Sequence, residues 1–106
     1  TPAIWKYPGQ SGLHCRIGTT NNGNNGVDAL GVMEWNKWYY VTYRKVGQAL
    51  EIYHDGVKTH EVGLGGPTVG NDGSLYFGRD PWYNGLDGAS YDNIQIHKRA
   101  LTDEEI

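Results

Sequence analysis

The sequence predicts an all-β fold, an antiparallel β-sandwich or jelly roll, and three observations carry that prediction. Short runs of β-branched and aromatic residues recur, with turn signals every several residues. Sixteen glycines supply the backbone freedom that a many-stranded antiparallel fold consumes at its turns. Helix signals are confined to the last few residues.

The elements follow in order. Residues 4–7 (IWKY) and 13–17 (LHCRI) are candidate strands, separated by the turn Pro8-Gly9-Gln10-Ser11-Gly12. Residues 19–26 (TTNNGNNG) read as a loop or hairpin tip, because Asn and Gly both tolerate left-handed backbone. Residues 38–45 (WYYVTYRK) give the strongest strand signal, with Tyr39, Val41 and Tyr43 on one face at period two. Residues 49–54 (ALEIYH) and 57–62 (VKTHEV) flank Asp55-Gly56, which predicts a hairpin with Leu50 and Ile52 buried. Residues 64–73 read as a loop, and 74–78 (SLYFG) as a strand with Leu75 and Phe77 inward. A polar-aromatic loop at 79–88 leads to a last strand at 91–97 (YDNIQIH), with Ile94 and Ile96 sharing a face. Thr102 and Glu105 then form a capping box that opens a helix.

A length of 106 residues suits one domain over 1–106. Apolar residues make up only 38%, but four Trp, eight Tyr and one Phe bring large buriable areas. Net charge is −3, and Lys37, Arg44, Lys45, Lys58, Arg79, Lys98 and Arg99 form no tract longer than two. A phosphate backbone requires a dense basic stripe, so nucleic acid is excluded as the expected partner. No apolar run approaches the length of a membrane span, so membrane insertion is not expected either. The single Cys15 forms no intrachain disulfide. It is expected as a small buried apolar residue, the alternative being a bond to another chain or to a missing segment.

Three stretches in order resemble the laminin-G-like (LamG-like) branch of the concanavalin A-like jelly rolls. Trp38-Tyr-Tyr-Val-Thr-Tyr43 is similar to the family's Trp followed by an apolar strand. Leu50-Glu-Ile-Tyr-His-Asp55-Gly56-Val57 resembles its hairpin, and the run from Gly88 to Ile106 resembles its closing segment. The resemblance covers about residues 36–106, and residues 1–35 fit loosely as preceding strands. The family's opening strands have no counterpart, so the chain is expected to be the carboxy-terminal portion of a longer domain. The resemblance implies a packed core position for Trp38 and an extracellular, secreted or cell-surface setting.

Function must be read from sites, because this fold hosts lectins, adhesion modules and glucanases alike. Glucanases of the fold carry a Glu-x-Asp-x-x-Glu strand, and no such triplet occurs here. Asp103, Glu104 and Glu105 sit at a helix start, where acids are favoured structurally. His14, His54, His60 and His97 lack zinc spacing, and Ser11, Ser74 and Ser90 lie in no nucleophile-elbow context. No catalytic residue is therefore expected within this stretch.

For binding, Trp82 and Tyr83, with Asn84 and Arg79, combine aromatic faces with planar polar groups, as a sugar ring requires. The competing reading is that these aromatics close one end of the sandwich. Trp5, Tyr7 and Trp35 pose the same choice. Asp92 is expected on the buried face of Ile94 and Ile96, where a carboxylate needs a partner or a metal. The resemblance implies a structural Ca²⁺ there, with Asp80 and Asp87 as weaker ligands. The alternatives are a pair with Arg99 or Arg79, or a buried hydrogen bond. The expected function is a non-catalytic glycan-binding or adhesion module, whose partner is a glycan or an extracellular protein. Two alternatives stand beside it: an architectural domain in an extracellular assembly, associating with other chains or a missing amino-terminal segment, and part of a glycoside hydrolase with its catalytic strands elsewhere.

Overall fold

The computed structural model describes residues 2–6, 9–78 and 88–106. Its strands are β1 (Ala3–Trp5), β2 (Leu13–Ile17), β3 (Asn25–Ala29), β4 (Val41–Val46), β5 (Ala49–His54) and β6 (Val57–Gly63), followed by a 3₁₀ turn at Asp103–Glu105. They form two antiparallel three-stranded sheets, β1-β2-β3 and β4-β5-β6. The protein is an all-β sandwich, as its alternating runs predict. No helix among the described residues is long and apolar enough to cross a membrane.

Alternation decides what lies between the sheets. Cys15, Ala29 and Ile52 form one fully buried cluster, flanked by Leu13, Val27, Val41 and Tyr43. Ile17, Leu50 and Leu64 form a second, against Tyr43 and Val62. Tyr43 touches both clusters, and its hydroxyl donates to the Arg16 carbonyl across the sandwich at 2.9 Å. Burial thus sets an apolar seam beside a polar tie between the sheets at Tyr43.

Cys15 is fully buried, and burial pushes its thiol up to about 12 against the pull of Arg16. His14 turns to the other face, where its Nδ1 lies 2.8 Å from Asp28 Oδ1 on β3. Arg16 also binds Asp28, and its hydrogen bond is the main cause that holds the Asp28 carboxyl below its ordinary value. The folded protein should therefore react with iodoacetamide near pH 8 on the order of a thousandfold more slowly than an unfolded control, since thiolate fraction falls tenfold per pKa unit. Mass spectrometry checks this, and equal rates would contradict the burial of Cys15.

The β5–β6 hairpin is the predicted one. Asp55 (φ 51°) and Gly56 (φ 81°) are both left-handed, as a two-residue turn of this twist requires. Leu50 and Ile52 are buried. A register shift at Ile52/Tyr53 is the one irregularity in the ladder. Residues 19–24 form the expected tip between β2 and β3, but Asn25 and Gly26, the second Asn-Gly step, already belong to the β3 strand. A Cβ on Gly26 would lie 2.0 Å from the Cys15 carbonyl oxygen, so glycine serves close strand approach there rather than a turn.

The outer face of the second sheet carries an ion network. Arg44 Nε donates to Glu51 Oε2 (2.6 Å), and its Nη atoms reach the Tyr53 hydroxyl, the Leu101 carbonyl and Asp103. Lys58 joins Glu51 (3.3 Å) to Glu61 (2.6 Å). Burial pushes the Glu51 carboxyl up, but Arg44 and Lys58 outweigh it and hold it below its ordinary range. Arg44 thereby docks the chain's last turn onto the sheet. Within that turn Glu105 accepts the Thr102 N–H (2.8 Å), the capping contact expected, although the helix stays a single 3₁₀ turn.

The carboxy-terminal segments correct several expectations. β4 starts at Val41, so Trp38 stands outside it and is exposed rather than in the core. Residues 74–78 and 91–97 lie outside strands, and Leu75, Phe77, Ile94 and Ile96 are exposed. Alternation says which side chains would share a face; it does not supply a hydrogen-bonded neighbour. Asp92 is likewise exposed. Asn93 is left-handed (φ 51°), which turns the chain between Asp92 and Ile94 and removes their common face. Asp92 Oδ1 accepts the Asn93 N–H (2.8 Å), while Arg99 forks onto Glu105.

Candidate functional site

The ligand-binding set expected from sequence, Arg79, Trp82, Tyr83 and Asn84, lies outside the described residues, as do Asp80, Asp87 and Tyr7. At Asp92 one carboxylate oxygen already accepts a backbone N–H, and no group of three or more His, Cys, Asp or Glu able to hold a metal exists among the described residues. Ca²⁺ takes six to eight oxygens, and Asp80 and Asp87, the further ligands expected, lie outside the described residues.

The site that the structure does assemble lies on the connection into β4. Asn36 is left-handed (φ 58°) at a turn, so Trp35 and Trp38 flank its tip on either side. Both indoles are largely open to solvent, at 59% and 66% exposure. They border a cleft of about 480 Å³ whose polar lining includes Lys6, Ser11, Asn36 and Ser90. Lys6 Nζ sits 4.6 Å from the Trp35 ring centroid, which fixes a cation on one side of that indole.

Several contacts hold this turn against the sheet. The Tyr39 hydroxyl accepts the Glu34 N–H (2.8 Å), and Lys37 lies 5.3 Å over the Tyr39 ring. Lys37 also pairs loosely with Glu34 (3.8 Å). Asp55, in the β5–β6 turn, accepts the Tyr40 N–H (2.9 Å) and returns its own N–H to the Tyr40 carbonyl (2.8 Å). The aromatic turn is therefore fastened to the turn of the β5–β6 hairpin. Such an arrangement offers apolar ring faces beside amide, hydroxyl and ammonium groups.

Trp35 was named from sequence among the aromatics facing the choice between packing and binding. The sequence places Trp38 in the core, and Lys6 and Asn36 carry no signal alone. The run Trp35-Asn-Lys-Trp38 held the clue, since an Asn between two Trp favours a left-handed turn that displays both rings.

Searches of curated proteins and of solved structures returned no match. A family model, described as the concanavalin A-like lectin/glucanases superfamily, matches residues 3–106 and so takes in the amino-terminal strands that the three sequence stretches left outside. With two antiparallel sheets packed as a sandwich and a match across nearly its whole length, the chain belongs to the concanavalin A-like lectin/glucanases superfamily, as a LamG-like domain.

Proposed function

We propose that this chain is a non-catalytic glycan-binding or adhesion module of an extracellular, secreted or cell-surface protein, with the turn at 35–38 as its binding element. One observation carries the reading: Trp35 and Trp38 stand exposed together at a cleft. An exposed indole forfeits hydrophobic stabilisation, and two on one turn, braced by Tyr39 and Asp55, mark a binding surface. Four of the described carboxylates have a structural use. Glu51, Glu61, Glu105 and Asp28 are each engaged by a cationic side chain.

The test is calorimetric titration with neutral cello-, laminari- and galacto-oligosaccharides. Trp35→Ala and Trp38→Ala should each weaken whichever sugar binds by about thirtyfold, close to 2 kcal/mol, with the melting temperature unchanged. Full affinity in both variants would place the binding site elsewhere.

A second reading has its own observation. Leu75, Phe77, Ile94 and Ile96 are all exposed on the carboxy-terminal segments, which favours an architectural domain that associates with another chain. Failure to bind any sugar, together with concentration-dependent self-association, would favour it.

A further inference from the structure

His54 ends β5 directly beneath the fastening of the aromatic turn. It is almost fully buried, paired in the ladder with Val41 on one side and Val57 on the other. Its Nδ1 lies 2.7 Å from Thr59 Oγ1, and that hydroxyl also reaches the Ile52 carbonyl (3.3 Å) and His60 Nδ1 (3.0 Å). A carbonyl only accepts, so the Thr59 hydroxyl donates to Ile52 and receives N–H groups from both rings. His54 Nε2 is then the bare nitrogen, buried and with no hydrogen-bond partner among the described residues.

The rings around it connect to the site. Tyr39 meets His54 edge to face, with centroids 6.2 Å apart and planes at 88°, and the same Tyr39 holds Glu34 beside Trp35. On β6, His60 lies 6.4 Å away. In the turn, Asp55 is the nearby carboxylate, and it is occupied by the Tyr40 N–H. From the facing sheet, Cys15 packs against neighbouring Ile52 and keeps its proton. A proton placed on His54 Nε2 would be a buried charge with no acceptor among the described residues, relieved if the rings around it open to water.

We propose that His54 is a pH-sensitive positioning residue for the aromatic turn: neutral, it supports Tyr39 and holds Trp35 and Trp38 in place, and on acidification its protonation loosens Tyr39 and weakens ligand capture. The ligand consequence rests on the reading of the cleft as a glycan site; the movement of the turn does not. Burial, followed by His60, depresses the His54 pKa below the ordinary 6.5, while Asp55 opposes them. The sign follows from that direction. The braced state is fully favoured above about 6.5 and is lost as pH falls through the depressed value.

The experiment is an NMR titration of the ligand-free protein from about pH 7.5 to 4.5, following the His54 ring and the indole N–H signals of Trp35 and Trp38. In the wild type, both indole signals should shift with the His54 midpoint. His60→Gln removes a like charge and should raise that midpoint. His54→Gln, which takes no proton, should leave the indole signals flat. Indole signals that stay still while His54 titrates, or that shift unchanged in His54→Gln, would overturn the proposal. In parallel, affinity for the oligosaccharide bound in calorimetry should fall about tenfold per unit of coupled pKa shift. Indole signals that follow His54 in a protein that binds none of these sugars would uphold the positioning role and overturn the glycan reading instead.

Discussion

Truncation of Ile52 to alanine is expected to destabilise the domain by about 2–5 kcal/mol, the largest effect of any single change considered. Ile52 is fully buried on β5, packed with Cys15 of β2 and Ala29 of β3, so its side chain joins the two sheets. Its removal leaves a cavity that the paired backbones on either side resist closing. Urea denaturation of Ile52→Ala beside Ile94→Ala gives the comparison. Ile94 is half exposed outside any strand, so its truncation should cost no more than about 0.5 kcal/mol. Equal costs would contradict the packing described, because they would require Ile94 to be a core residue as well.

The second large effect is expected at Arg44. Arg44→Met keeps much of the side-chain volume but withdraws the guanidinium from Glu51, Tyr53, Leu101 and Asp103 together. Leaving one member of a fully dry pair unpartnered costs about 3–5 kcal/mol. Here Lys58 still reaches Glu51, and Asp103 faces water, so about 2 kcal/mol is expected. The loss should depend on pH. With Arg44 present, the depressed Glu51 pKa contributes stability above the ordinary carboxylate value, and this is lost as pH falls through the folded one. Arg44→Met should therefore cost most near neutrality and least in acid, as denaturation at several pH values would show. A cost independent of pH would mean that packing, not charge, is what Arg44 supplies.

Strong local chemistry was legible in the sequence. Asp55-Gly56 between two alternating runs specified the β5–β6 hairpin, because only a few residue pairs adopt two successive left-handed conformations. The pattern of residues 13–17 likewise gave β2, with Cys15 inward. Asn25-Gly26 misled for the opposite reason: the residue type that makes turns also permits two strands to approach closely, and only the neighbouring Cys15 carbonyl distinguishes the uses. At residues 74–78 and 91–97 the alternation was sound as a pattern. Strand formation is a property of pairs, however, and a single left-handed Asn93 cancels the face that Asp92 and Ile94 would share. The site was hardest to foresee. Trp38 opens an aromatic, β-branched run, so burial was the natural expectation, yet the ladder begins three residues later and leaves the ring in solvent.

Whether the exposed Trp35 and Trp38 form the proposed sugar-binding surface is decided by saturation-transfer and indole-shift NMR on the wild-type protein with the oligosaccharides named above. Saturation transfer to sugar ring protons is expected, with selective shifts of the Trp35 and Trp38 indole N–H signals and the partly buried Trp5 unmoved. Sugar binding that perturbs Trp5, or the residues around Asp92, while Trp35 and Trp38 stay still would contradict it.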